Sequence, residues 1–315
     1  MKNREFRAGD LVFVRSPEEI LATLDGDGAL DGVPFMPEML GACGKPFRVL
    51  RRVEKVCADP NPVRRFPAND VVVLDGMRCD GTGHDGCNRS CRTFWKERWL
   101  RSADTDTATP LAVSPEGLAR LRARLKKKSD EEHYFCQSTQ LLKATELFSG
   151  RHRLLTFRLA WREIANGDLP VFRVLRLLAQ WIVTRWLRMA GADDWLRGPN
   201  KHTENLPLNL KPGEIVRIKS RARLVETLNQ KQRNRGLGFC YEMTRCCGKE
   251  AEVRFRVDRL IDERTGVMRE LSNTVTLKNI GRSKTLGEEC LCEAQVGDCP
   301  RGELMLWREV WLERK

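Results

Sequence analysis

The chain of 315 residues is 41% hydrophobic and 31% charged, which is typical of a folded protein with a charged surface and excludes disorder as the default state. Lys and Arg outnumber Asp and Glu by 56 to 43, and the resulting net charge of +13 favours acidic partners. Residues 1–7 lack the apolar stretch of a secretory signal, and arginines interrupt the longest apolar run elsewhere. We therefore expect a cytoplasmic protein without a transmembrane span.

An internal repeat is the main feature of the chain. A shift of 204 positions places residues 9–16 on residues 213–220 without a gap, and Cys43-Gly-Lys on Cys247-Gly-Lys. The second copy then gains eight residues, and the match resumes at a shift of 212. Further aligned pairs are Phe35 and Phe239, Asn69 and Asn273, Cys87 and Cys299, Trp95 and Trp307, Glu97 and Glu309, and Trp99 and Trp311. Matches clustered on Gly, Cys and Trp indicate a duplicated module of about a hundred residues.

The elements of each copy follow from alternation and turn residues. Apolar residues alternate after Gly-Asp in the first copy and Gly-Glu in the second, which predicts a strand entered from a turn. In the first copy Ser16 can then cap a short helix that has Pro17 in its first turn. Further strands are predicted at 47–56 and 71–74, at 252–260 and 275–277, and over the Trp-x-x-x-Trp segments.

Short, β-branched strands punctuated by Gly predict an α+β chain with two small SH3-like or related β-barrel modules. The Gly-Asp-x-Val-x-Val-Arg-Ser opening is similar to the first strand of SH3-like barrels. The predicted domains are a first β-module with a Cys-rich loop at 1–105, a helical, basic middle segment and linker at 106–205, and a second such β-module at 206–315.

The first module carries a run of soft metal ligands. Cys79, His84, Cys87 and Cys91 are separated by four, two and three residues, with glycines that let the backbone wrap tightly. This density is typical of zinc sites, where four Cys or His donors surround the ion. Cys43 is a further candidate from a distant loop. The predicted set is Cys43, Cys79, Cys87 and Cys91, with His84 either replacing one of them or lying outside the ligand shell.

The second module keeps only part of this pattern. Cys247 and Cys299 are retained, Glu303 stands where the first copy has Cys91, and Cys290 and Cys292 lie in the lengthened loop. Four cysteines could still converge, so the sequence predicts one or two zinc ions, with an iron–sulfur cluster ranked below zinc because ferredoxin-type runs are lacking. Small buried thiols are the alternative for all of these residues. Three other cysteines are expected in the core: Cys57, Cys136 and Cys240.

Two further features leave their role open. The Trp pairs are spaced to pack in a core, and they could alternatively stack on bases of single-stranded nucleic acid.

In the middle segment, Ser114 caps a helix that reaches residue 128, and residues 137–148 continue the helical pattern. Residues 171–189 form a helix with a wide apolar face and an Arg-rich stripe, which suits burial between domains, an anionic membrane surface or a partner's groove.

Residues 43–54, 134–137 and 233–237, together with the Trp-x-Glu-x-Trp-Leu endings, resemble a family of bacterial proteins without an assigned activity. The resemblance runs through most of the chain. Members of that family tend to lie near genes for secondary metabolites or surface polysaccharides, which implies a supporting role in biosynthesis. The resemblance supplies no catalytic residues.

Three functions compete. The first is a non-catalytic, zinc-stabilised tandem module that holds a partner, with an acidic protein favoured by charge. The second is a metal-dependent enzyme with an open site near Cys299 and Glu303. The third is a nucleic-acid-binding protein that uses the basic middle segment and the Trp segments.

Overall fold

The computed structural model describes residues 6–58, 63–103, 112–147, 161–168, 170–189, 196–282 and 300–315. It divides into two compact units, of which the first holds the described residues up to Leu177 together with Ile261–Arg269 and residues 300–301. The second unit holds the other described residues. Mostly antiparallel strands with few helices confirm the mixed α and β class.

The strands are β1 Leu11–Val14, β2 Ala29–Leu30, β3 Val33–Pro34, β4 Pro46–Arg52, β5 Val56–Cys57, β6 Val63–Arg65, β7 Val71–Arg78, β8 Arg92–Lys96, β9 Leu100–Ser102, β10 Glu146–Leu147, β11 Ile215–Ile218, β12 Arg233–Asn234, β13 Leu237–Gly238, β14 Glu250–Arg256, β15 Arg259–Ile261, β16 Met268–Glu270, β17 Thr274–Lys278, β18 Leu306–Arg308 and β19 Leu312–Arg314. The helices are α1 Pro17–Leu21, α2 Pro115–Arg124, α3 Leu141–Ala144, α4 Val171–Met189, α5 Arg221–Val225 and α6 Tyr241–Thr244. Residues 161–165 are also helical. Short 3-10 turns cover Pro37–Ala42, Glu97–Trp99, Ile280–Arg282 and Glu309–Trp311.

The main sheet of the first unit has five strands in the order β8-β7-β4-β1-β9. Val12 in β1 lies opposite Phe47 on one side and Ser102 on the other. The main sheet of the second unit has the order β18-β17-β14-β11-β19, and Val216 lies opposite Ala251 and Arg314. The internal repeat therefore extends from residue identity to strand order and pairing register.

The two sheets also share an irregularity. Strand β4 is bulged where it pairs with β7, and β14 is bulged at the equivalent place against β17. Beyond the bulge the second copy is one residue shorter, because Val53 N donates to Val71 O whereas Val257 N donates to Thr274 O. The gap-free alignment of Asn69 with Asn273 is therefore wrong by one position at this turn.

Each sheet is covered by the same aromatic cluster. The ring of Phe35 meets Trp95 and Trp99 edge-on, with centroids 5.9 and 5.2 Å apart. The second unit repeats this cluster with Phe239, Trp307 and Trp311. All four indoles are fully buried, so the core interpretation is confirmed and base stacking by these rings is excluded.

The Trp-x-x-x-Trp segments differ from the single strand that the sequence predicts. Trp95 lies in β8, but Trp99 lies in the following 3-10 turn. A continuous strand would place both rings on one face about 13 Å apart, too far for both to meet Phe35. The turn brings Trp99 back over the same ring, and Thr23 Oγ1 accepts its indole N–H at 3.0 Å.

A buried ion pair joins strand and turn in each unit. Arg52 Nη1 contacts Glu97 Oε1, and Arg256 Nη1 lies 2.6 Å from Glu309 Oε1. Glu309 also accepts the backbone N–H groups of residues 208–210 at 2.6 to 3.1 Å. Because a buried carboxylate needs such partners, this pair fixes the chain that leads into β11.

The middle segment is less helical than the sequence predicts. Ser114 caps α2 as expected, with its hydroxyl accepting Gly117 N at 2.9 Å, but the helix ends at Arg124. Within the described residues 137–147 only α3 is helical, and β10 pairs with β6. The boundaries of α4 match the prediction. Over the described residues, no helix is long and apolar enough to cross a membrane.

Candidate metal centre

The loop from Cys79 to Cys91 follows β7 and is closed by its own backbone. Cys79 N donates to Cys91 O at 2.8 Å, which brings the two ends of the loop together. Gly81 has φ +75°, and a Cβ there would lie 2.1 Å from Cys87 O, so glycine is required at this position. The glycines that the sequence shows between the cysteines thus serve a tight loop, as predicted.

His84 and Glu38 form the buried centre of this loop. Glu38 Oε1 lies 2.8 Å from His84 Nδ1, accepts Gly83 N at 3.2 Å and accepts the Cys79 thiol at 3.4 Å. The ligand atoms of Glu38, Cys79 and His84 all lie within 4.8 Å of one another. Glu38 comes from the 3-10 turn that follows β3, and nothing in the cysteine spacing identifies it.

Both ring nitrogens of His84 have acceptors. Nδ1 faces the Glu38 carboxylate and Nε2 lies 3.2 Å from Phe135 O. Both contacts tie the ring to its surroundings, one to the turn of Glu38 and the other to the backbone of Phe135. Burial acts to raise the pKa of Glu38, but the hydrogen bond and charge of His84 outweigh it and hold that pKa below its usual value. His84 thus links the loop to Glu38 and to Phe135, and its ring remains a candidate ligand beside Glu38 and Cys79.

Four cysteines line one cavity beside this pair. Its volume is about 30 Å³, more than the roughly 10–15 Å³ that a single water needs. The four are Cys79, Cys87, Cys91 and Cys136. Of these, only Cys79 belongs to the closely spaced group with Glu38 and His84 among the described residues. The other thiols border the same space at longer range, so two separate parts of the chain, the loop from Cys79 to Cys91 and the segment of Cys136, present sulfur to it.

Cys136 reaches the cavity because Gln137 fixes its segment to the edge of β8. The Gln137 side chain accepts Phe94 N at 2.7 Å and donates to Phe94 O at 2.8 Å and to Pro34 O at 2.9 Å. Thr139 Oγ1 accepts Cys136 N at 3.1 Å, which shapes the turn that carries the thiol. Cys136 is buried in the first core, as the sequence predicts, and it also lines the cavity, which the sequence did not indicate because Cys136 lies outside the repeat and far from the Cys-rich loop.

The thiols are electrostatically disposed to stay neutral. Burial raises the pKa of Cys79, and the charges of Glu38 and Cys91 raise it further. Burial raises the pKa of Cys136 as well, and the nearby Cys87 adds to the effect. Without a cation, Cys79 and Cys136 are therefore protonated thiols at neutral pH.

One side of the cavity is closed by residues of the second sequence repeat that belong to the first compact unit. Ile261 lines the space, and its N–H donates to Cys87 Sγ at 3.4 Å. Arg301 donates to Cys57 O and to Ser138 Oγ, both at 2.8 Å, and contacts Glu263. Arg301 is the sequence counterpart of Arg89, which also donates to Glu263, at 3.2 Å.

The remaining predicted ligands lie elsewhere or outside the described residues. Cys43 is buried in the first core, where burial raises its pKa to about 11, and it does not line the cavity. Cys247 packs against the second core, with its thiol 4.0 Å from Met243 O. Cys290, Cys292 and Cys299 lie outside the described residues.

Two other cysteines also bear on the sequence expectations. Cys240 was expected in the core, but the structure places it at the surface, because it begins α6 at the edge of the second core. Cys57 is half-buried, and its carbonyl accepts from Arg301. Neither borders the cavity.

Comparison with known protein families, curated proteins and solved structures found no match to this chain.

Proposed function

We propose that this protein is a non-catalytic, zinc-binding tandem β-module protein that holds a partner as a scaffold component, with an acidic protein as the partner and a biosynthetic assembly as its setting. The observation that carries the proposal is the convergence of Cys79, Cys87, Cys91 and Cys136 on one small cavity. All four groups are sulfur donors and none is a carboxylate. This set of ligands favours structural zinc over calcium or magnesium, which bind oxygen donors.

The donor chemistry of the four thiols suits such an ion, but their sulfur atoms do not all lie within 4.8 Å of one another, so binding would draw the other three thiols toward Cys79. Zinc, when bound, would replace the protons of the four thiols with metal–sulfur bonds and so offset the cost of burying them. Cys79 and Cys91 would join the two ends of the loop, and Cys136 would join that loop to the middle segment. Glu38 and His84, already paired with each other, would orient the loop around the site.

The fold supports a binding module. A five-stranded order in which the first strand pairs with the last, and a 3-10 turn that separates the last two strands, are features of SH3-like barrels. We propose this barrel type for both modules. Modules of this kind bind partners through surface loops, and the net charge of +13 favours an acidic surface on the partner.

Metal analysis of the purified chain tests the proposal. Elemental analysis of wild type is expected to give zinc bound to the first module. Cys79→Ser and Cys136→Ser should each lose that zinc, because each removes one of the four sulfur donors. Cys43→Ser is the matched control, since Cys43 is equally buried but lies away from the cavity.

The outcomes separate the alternatives clearly. Zinc retained by Cys136→Ser but lost by Cys43→Ser would restore the ligand set that the sequence predicts and overturn the cavity assignment. Wild type without any metal would overturn the zinc site altogether. Chelation that leaves the thermal stability of wild type unchanged would contradict the structural role, because a structural zinc contributes directly to the free energy of folding.

A further inference from the structure

Helix α4 exposes a continuous apolar stripe. Phe172 and Trp186 are 73% and 68% exposed, although such rings normally pack inside a protein. The other exposed members of the stripe are Val171, Leu175, Ile182, Val183 and Met189. With 19 residues the helix is about 28 Å long, so the stripe is far longer than a chance surface contact.

Helical spacing puts these residues on one face. Successive residues turn by about 100°, so the exposed apolar positions fall within an arc of roughly 120°. The spacing places Arg176, which is exposed, next to one border of the stripe. The helix contains four arginines, Arg173, Arg176, Arg185 and Arg188, and no acidic residue.

The apolar stripe and the arginines of α4 together indicate which kind of surface covers the stripe. A second copy of the helix would set arginines against arginines with no carboxylate on either helix to pair with them. The described apolar side chains of the stripe are exposed and so are not packed against a core within the described residues. An anionic membrane offers both an apolar layer at the depth of the stripe and phosphates at the height of the arginines.

We propose that α4 binds the surface of anionic membranes, with the axis of the helix in the plane of the interface. Phe172, Leu175, Ile182 and Trp186 enter the boundary between headgroups and acyl chains, and the flanking Arg176 contacts a lipid phosphate. The helix does not span the bilayer, in keeping with its interrupted apolar sequence. This surface is independent of the proposed zinc site.

Vesicle binding of the full chain tests the inference. The probes are vesicles of pure phosphatidylcholine and vesicles in which about a third of the lipid is phosphatidylglycerol. Binding, measured by co-sedimentation, is expected to be at least about tenfold tighter to the anionic vesicles and to weaken as salt is added. Equal binding to the two vesicle types, or none to either, would overturn the proposal.

Variants on the helix identify the contact. The double variant Leu175→Ser with Trp186→Ser should bind anionic vesicles at least about tenfold more weakly, since it removes two large apolar groups. Arg176→Glu should weaken binding by about twentyfold through the change of two charges. The matched control is Leu142→Ser with Leu147→Ser, which removes two exposed leucines away from the helix and should leave binding unchanged.

Two results would contradict the assignment to α4. An equal loss in the Leu142 and Leu147 control would show that general surface hydrophobicity causes binding. Light scattering that gives a dimer for wild type and a monomer for the Leu175 and Trp186 variant, without vesicles, would assign the stripe to a second copy. Circular dichroism of each variant checks that helix content is kept, so that lost binding reports the contact itself.

Discussion

Each module has its own five-stranded sheet of the same type, and the two modules differ in the residues that their loops carry. In both, the same strand order, the same bulge and the same edge-on aromatic cluster recur, and a buried Arg–Glu pair ties the last turn to the core. The loop after β7 then presents cysteines to a cavity, whereas the loop after β17 has lengthened and replaced Cys91 by Glu303. The duplicated part is the part that packing constrains.

The sheets are alike and the loops differ for physical reasons. A shift of one residue in a strand moves every side chain to the other face, so register in a half-buried sheet is strongly constrained. The aromatic cluster constrains it further, since each indole has one place against Phe35 or Phe239. Loops lack such constraints, and long insertions in them cost little free energy. Differences in ligand residues are therefore expected in the loop between β7 and β8 and not within the strands.

The largest effect should come from the shared ion pairs. Glu97→Ala leaves the fully buried guanidinium of Arg52 without its carboxylate, and Glu309→Ala leaves three backbone N–H groups and Arg256 without theirs. Each change should lower the free energy of unfolding of its own module by about 3–5 kcal/mol. Hydrogen exchange read from peptides of β4 and β14 measures the two modules separately.

The control for this comparison is Glu313→Ala. Glu313 pairs with Arg223 at the surface, where loss of the pair should cost less than about 1 kcal/mol. If Glu97→Ala and Glu313→Ala changed exchange equally, the buried pair would not be a stabilising part of the repeated framework. An effect of Glu97→Ala on β14 as large as that on β4 would show that the modules do not unfold separately.

A pH effect should distinguish the first module from the second. Burial raises the pKa of Asp168 to about 6, while Arg52 N donates to its Oδ1 at 2.9 Å. The unfolded value is about 3.9, so the stability that Asp168 contributes is complete below about pH 4 and is lost as pH rises through about 6. Asp168→Asn keeps the acceptor and removes the charge, and should stabilise the first module by about 2 kcal/mol at pH 8.

The control is to compare the stabilities of wild type and Asp168→Asn at a second, lower pH. At pH 4 wild type and Asp168→Asn should have nearly equal stability, because both side chains are then neutral. Urea unfolding of both proteins at pH 4 and pH 8 gives the four free energies needed. A stabilisation of the same size at both pH values would assign the effect to packing and not to ionisation.

The smallest difference lies in the helix caps after the first strand of each module. Ser16 accepts Glu19 N at 3.3 Å, and the Glu19 carboxylate accepts Ser16 N at 3.0 Å. Ser220, its counterpart, makes no capping hydrogen bond with its side chain. Ser16→Ala should therefore cost about 1 kcal/mol and Ser220→Ala only a few tenths, as measured by thermal unfolding. Equal losses would mean that the caps are equivalent in solution.

The sequence predicted the framework well because the framework has local causes. Alternation after Gly9 and Gly213 identified both first strands, and the Ser16–Pro17 start identified α1. The repeat itself, read from aligned Gly, Cys and Trp residues, correctly paired Trp95 with Trp307 and Trp99 with Trp311. These positions depend on periodicity, capping and turn preferences, which act over a few residues.

What the sequence could not predict depends on distant contacts. Residues 137–148 have a helical pattern, but the hydrogen bonds of Gln137 with Phe94 hold the start of that segment against β8 and leave only α3 helical. The same contacts bring Cys136 to the cavity in place of Cys43. The spacing of residues along the chain predicts neither the short α3 nor the position of Cys136, because both depend on contacts with the folded sheet.

The Gln137 contact has a consequence beyond the cavity. Strand β8 is the outermost strand of the first sheet, and its outer side is covered by other segments of the chain, since Arg92 N donates to Arg301 O at 3.3 Å. By pairing with both backbone groups of Phe94, the Gln137 amide occupies the place that an added strand would take. Gln137 thereby helps to protect the sheet edge against edge-to-edge aggregation, and Gln137→Leu should make the folded protein more prone to form insoluble assemblies even where its zinc content is unchanged.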